Sequence, residues 1–267
     1  MEKVMLIILS IILFLLMSLV GGDRGAKSFF ALCINAFIII VNIYLIYIGL
    51  NAIIIMLISS ILFSAVTLVF QNDYNMKTLA SITSVGIVVL ILCILVTFIC
   101  YKAHMIGYNE IEILEENSMY LSSDIHINMY HILICGIVWG LLGAIIDTSI
   151  SISTAINEIH NNNRKLSSRE LMRSGMTVGK DILGTTVNTL FFVCTGETIM
   201  LSLVYLKYNY SFEEILNSKS FIQEVSTLLI SCIGCLLIIP ITAAIFSRMV
   251  KEEKLVQYFK KYEEVNE

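Results

Sequence analysis

Charge is what this sequence has least of. Only 14% of its 267 residues are Asp, Glu, Lys or Arg, against about 25% in an ordinary soluble domain. That leaves too little polar surface to clothe a water-soluble globule of this length. The formal net charge of −4 also lacks the basic excess that nucleic-acid binding requires. Histidine is scarce, and His104, His126, His131 and His160 show no ligand spacing, so neither a metal nor a cofactor is expected. No nucleophile elbow, phosphate loop or metalloprotease helix is present, and no catalytic residue is assigned. The seven cysteines are odd in number and all lie in apolar runs, which argues against a disulfide framework. Cys232 and Cys235 form a C-x-x-C within such a run and without nearby histidine, and read as small packing residues. Proline occurs once, at Pro240, where it is expected to kink the last apolar segment.

Apolar residues fill the space that charge leaves. They make up 57% of the chain, and the mean hydropathy is +0.86. They come in blocks of about 20 residues, the length that carries a helix across the hydrocarbon core of a bilayer. A membrane barrel would alternate in segments of about 10 residues, and these runs are unbroken. The expected fold is therefore an all-α integral membrane protein, a single transmembrane domain of about seven helices. The windows are about 4–20, 28–48, 51–70, 78–101, 130–152, 181–206 and 221–247. The first is read as a retained helix, because a charged Gly21–Gly25 turn follows it in place of a small-x-small cleavage site.

Lys and Arg set the orientation of such a bundle. With the N-terminus outside and the C-terminus cytoplasmic, thirteen of the 17 basic residues fall on inner segments. Only Lys3, Lys102, Lys207 and Lys219 remain outside. The outer loop 102–129 is acidic, and the inner loop 153–180 is basic with a short interfacial helix expected around Leu166–Met172. The tail 248–267 begins as an amphipathic, Lys-rich segment suited to the inner headgroup surface, or to water as a solvated helix.

The polar residues within the apolar windows are few and periodic. On the fifth window Gly136, Gly140, Gly143, Asp147, Ser151, Thr154 and Glu158 recur at steps of three and four, which places them on one helix face. The glycines, including G-x-x-x-G at Gly136 and Gly140, suit close helix packing. On the sixth window Asp181, Thr185 and Asn188 also share a face. Ionisable groups in lipid are costly and normally face a bundle interior or a wet cavity. The two faces are thus expected to meet and line an ion or substrate path open to the cytoplasm, with Asp147 deepest. A carboxylate there binds a cation or exchanges a proton. Plainer roles remain open: a packing hydrogen bond for Asp147, a helix cap for Asp181, solvent exposure for Glu158.

These residues resemble the YibE/F-like family of bacterial multi-pass membrane proteins, and the shorter, YibF-like member in particular. The likeness rests on three runs. The first is Gly22-Asp23-Arg24-Gly25. The second holds Gly143, Ala144, Asp147, Ser153, Asn157 and Glu158. The third holds Ser174, Gly175, Met176, Gly179, Asp181, Gly184, Thr185, Asn188, Thr189 and Leu190. Glu197 departs from the pattern, which has a small neutral residue there. The resemblance implies a bacterial cell membrane location and a longer paralogous partner, and supplies no function. Two functions are expected from the residues. The first is a permease, or permease subunit, that moves a small solute or ion with proton coupling through an intramembrane carboxylate. The alternative is a non-catalytic assembly subunit, packed on lipid and on a second copy or a paralogous subunit.

Overall fold

The computed structural model describes residues 2–102, 128–252 and 255. The acidic loop 102–129, apart from its ends, and most of the tail 248–267 lie outside the described residues. The described chain is helical, with no strand among the described residues. Its elements are α1 (Glu2–Tyr47), α2 (Ala52–Asn72), α3 (Met76–Lys102), α4 (Met129–Asn162), α5 (Ser168–Lys207), the short α6 (Phe212–Asn217) and α7 (Lys219–Met249). All but α6 are long and apolar enough to cross a membrane, giving six such helices among the described residues.

α1 joins the first two expected windows, and it is not straight. Gly22 breaks it with φ 57° and ψ −140°, a conformation open to glycine and strained for other residues. Phe14 and Phe29 would lie about 22 Å apart along a straight helix, yet their ring centroids are 5.1 Å apart. The chain therefore doubles back, with arms 2–21 and 23–47. Gly25 closes the hairpin, since a Cβ there would overlap the carbonyl oxygen of Met17. The second arm then runs into the tight Gly49 turn (φ 97°), and Asn51 caps α2 by accepting the amide of Ile53 at 3.0 Å.

α4 lies at the centre, packed against α2, α3, α5 and α7, while α1 packs on α2. The core between α3, α4 and α7 is apolar: Val88, Leu92, Leu141, Ile145, Ile152, Ile238 and Phe246 are buried. Hydroxyls stitch the same helices together. Ser81 and Ser153 share a hydrogen bond of 3.1 Å across α3 and α4, and Ser149 and Thr242 one of 3.0 Å across α4 and α7. Small hydroxyl residues let helices approach while satisfying their own polar atoms.

Two boundaries differ from expectation. α4 continues to Asn162, and α5 begins at Ser168, thirteen residues before its apolar window. The expected interfacial helix around Leu166–Met172 is in fact the first turn of α5. A reciprocal cap starts it: the Glu170 amide donates to Ser167 Oγ at 3.3 Å, and the Ser167 amide donates to the Glu170 carboxylate at 2.7 Å. α7 runs through Pro240 as one helix.

Candidate functional site

The packing of α4 and α5 decides where their polar residues point. α5 turns Leu171, Gly175 and Gly179 inward. A Cβ on Gly175 would overlap Ile156 of α4, and one on Gly179 would overlap Ile239 of α7. Asp181 follows Gly179 by two residues, about 200° around the helix, and is exposed together with Thr185 and Asn188. The Thr185 hydroxyl donates to the Ile182 carbonyl at 2.8 Å. α4 likewise buries Ile145, Thr148, Ser149, Ile152 and Ser153. That leaves Gly136, Gly140, Gly143, Asp147, Ser151 and Glu158 on its outer face, with Thr154 half-buried at the margin. Within one chain the two polar faces therefore do not meet. Asp181 is not a cap either, since Ser167 holds that position.

The α4 stripe instead forms part of two cavities. Gly143 and Asp147 line one of about 260 Å³ between α1, α2 and α4, with Asn35, Thr67, Phe63 and Trp139. Gly136 and Gly140 line another of about 400 Å³ between α4, α5 and α7, with Glu197 and Glu224. A Cβ added at Gly136, Gly140 or Gly143 would meet nothing within 4 Å, so no helix among the described residues fills the glycine face. Ser151, Thr154 and Glu158 continue along α4 beyond the first cavity.

Asp147 is the polar centre of the smaller cavity. It lies about 27 Å from the start of α4 and about 22 Å from its end, near the middle of the 34-residue helix. Across the cavity Asn35 Nδ2 donates to Thr67 Oγ1 at 2.9 Å, while Asn35 Oδ1 is buried without a partner among the described residues. Trp139, which also lines the cavity, extends away from it to donate its Nε1 hydrogen to Ser59 Oγ at 3.1 Å. A carboxylate, an amide oxygen and a hydroxyl thus line one cavity, at a level five residues, about 7.5 Å, from the end of α2. Such oxygens bind a proton, a hydronium or a compact cation. No group of three or more His, Cys, Asp or Glu suited to a metal occurs among the described residues.

Sequence reasoning singled out Asp147 and missed Asn35, Thr67 and Trp139. An isolated Asn or Thr in an apolar run carries no spacing, and Asn35 and Thr67 stand 32 residues apart in the chain. Glu224 was missed as well, although a carboxylate six residues into the last spanning helix is a signal in its own right.

Six long apolar helices around a hydroxyl-stitched core, with a carboxylate opening into a mid-helix cavity, define a multi-pass α-helical membrane protein. The family model of YibE/F-like protein matches residues 9–252. The chain belongs to the YibE/F-like family. No curated protein and no solved structure matches it. The three runs of family-like residues map onto the α1 hairpin, residues 143–158 of α4 and residues 174–190 of α5.

Proposed function

We propose that this protein is a permease, or a permease subunit, moving a small solute or ion across a bacterial cell membrane with proton coupling through Asp147. The observation that carries the reading is the position of Asp147: mid-helix, in a cavity with Asn35 and Thr67. An ionisable side chain within a spanning helix is costly and tends to mark an ion or proton pathway. In the accompanying topology the two arms of α1 cross separately, giving seven crossings with the N-terminus outside and the tail 248–267 inside. The distribution of Lys and Arg supports that orientation.

One observation favours a second reading, a non-catalytic subunit docked on a second copy or on a larger paralogue. A Cβ on Gly136, Gly140 or Gly143 would meet none of the described residues within 4 Å, and Asp181, Thr185 and Asn188 of α5 point outward. On that reading a partner covers both, and the carboxylates join subunits.

Purified protein in liposomes loaded with a pH-sensitive dye separates the two readings. Under an imposed pH gradient, the permease reading predicts proton uptake that Asp147→Asn abolishes while the variant remains folded. Uptake equal to the parent in a folded Asp147→Asn protein would rule out that reading.

A further inference from the structure

Asp147 needs a route to water, and the sequence pointed to the cytoplasmic ends of α4 and α5. The structure offers a different one, along the seam between α1, α2 and α4. We infer that Asp147 exchanges protons through waters in this seam with the aqueous phase at the α1–α2 turn, beside Asn128 and His131. This rests on the proposed role of Asp147 and adds the side and the path.

Three levels define the seam. At the first, near the Asn72 end of α2, Asn35, Thr67 and Asp147 share one cavity. The Asn35–Thr67 hydrogen bond sets the register of the second arm of α1 against antiparallel α2, so Asn42 stands level with Ser59 and Ser60. Trp139 reaches Ser59 from α4 at 3.1 Å. α4 runs parallel to α2, since Cys135 Sγ also lies 3.3 Å from the Ala52 carbonyl. This second level is about 10–12 Å from the first, seven or eight helical residues away. A further eight residues along α4, about 12 Å, lies His131. There a cavity of about 260 Å³ is lined by Ile46, Gly49, Asn51, Ala52, Asn128 and His131.

Two side chains on this route show what fills it. Asn42 is only 4% exposed, and its Nδ2 donor has no partner among the described residues. Asn35 Oδ1 is a buried acceptor in the same position. A native interior rarely leaves such groups unpaired, and ordered water is the usual partner. Water satisfies both, and a chain of waters also carries a proton. The Ser59 and Ser60 hydroxyls donate to the Met56 carbonyl at 3.2 and 2.7 Å, and their oxygens keep lone pairs that accept from water along the seam.

The test uses the full-length chain in vesicles, with its seven native cysteines replaced and single cysteines restored. A charged, impermeant thiosulfonate is added from one side at a time. Asn51→Cys, in the α1–α2 turn, reports that face, and Asn163→Cys, at the end of α4, reports the opposite one. Ile40→Cys, on the outer surface of α1, is the dry control. Asn42→Cys and the near-isosteric Ser59→Cys are expected to react from the Asn51 side, at least about ten times faster than Ile40→Cys, because access sets thiol reactivity. Reaction only from the Asn163 side, or at the rate of Ile40→Cys, overturns the inference. If Asn42→Cys fails to fold, Ser59→Cys alone decides the outcome. Labelling needs no transported solute. A dry seam with proton uptake that still depends on Asp147 therefore sinks the path alone. A wet seam with uptake indifferent to Asp147→Asn sinks the transport reading alone.

Discussion

The α1 hairpin makes a sharp prediction about a single methyl group. Replacing Gly25 by Ala places a Cβ on top of the Met17 carbonyl oxygen, and the two arms must open until these atoms are at least 3.0 Å apart. The obstructing atom is backbone, so no side-chain rotation relieves it. Overpacking of this kind costs about 1–3 kcal/mol, and a backbone clash belongs at the upper end. The helix advantage of Ala over Gly, about 1 kcal/mol in water, offsets only part of that. The net effect is about 2 kcal/mol against the closed hairpin, or about 30-fold in its equilibrium. The assay is cross-linking of Phe14→Cys to Phe29→Cys, whose rings touch in the parent, by a short bifunctional thiol reagent in a cysteine-free chain. Gly25→Ala should cut the yield sharply, while Gly21→Ala, whose added Cβ meets nothing, should not. An undiminished yield in Gly25→Ala would refute the hairpin packing.

Other positions give separate tests. Ser153→Ala removes the bond to Ser81 and should lower resistance to unfolding in detergent by about 0.6–1.5 kcal/mol, the range of interhelical hydrogen bonds in membranes. Gly140→Ala enters open space and should leave the thermal stability of the isolated chain no lower than the parent's, as read by a melting curve. Glu214 accepts hydrogen bonds from the Ser211 amide and hydroxyl, which hold its carboxyl below the usual glutamate range. A depressed value means that this cap contributes above the ordinary glutamate range and is lost as pH falls through the folded value. NMR titration should therefore find the Glu214 midpoint low, and Ser211→Ala should raise it.

Hydropathy marked each of the six long apolar helices among the described residues because lipid demands a continuous apolar stretch, and α2, α3 and α7 end within a few residues of their windows. It marked α4 and α5 too short for the same reason. Arg169, Arg173 and Lys180 stop an apolar window but do not stop a helix, whose backbone bonds are internal. The Ser167–Glu170 box that begins α5 is visible in the sequence, and its link to the distant apolar run is not. Periodicity placed Asp147 and the glycines on one face, but it does not say where a face points. α4 carries small residues on two sides, and the hydroxyl side, Ser149 and Ser153, went inward. Serines there form complete hydrogen bonds with α3 and α7, whereas a carboxylate would need a charged partner. Asn35 became legible only when folding put it in one cavity with Asp147 of α4, and Asn42 only when the α1–α2 register set it level with Ser59 and Ser60.

The most direct test of Asp147 as the exchanging group is an infrared difference spectrum of the reconstituted protein taken between acid and neutral pH. A protonated-carboxyl band that disappears in Asp147→Asn and persists in Asp181→Asn is the predicted result. A spectrum that Asp147→Asn leaves unchanged would contradict the account.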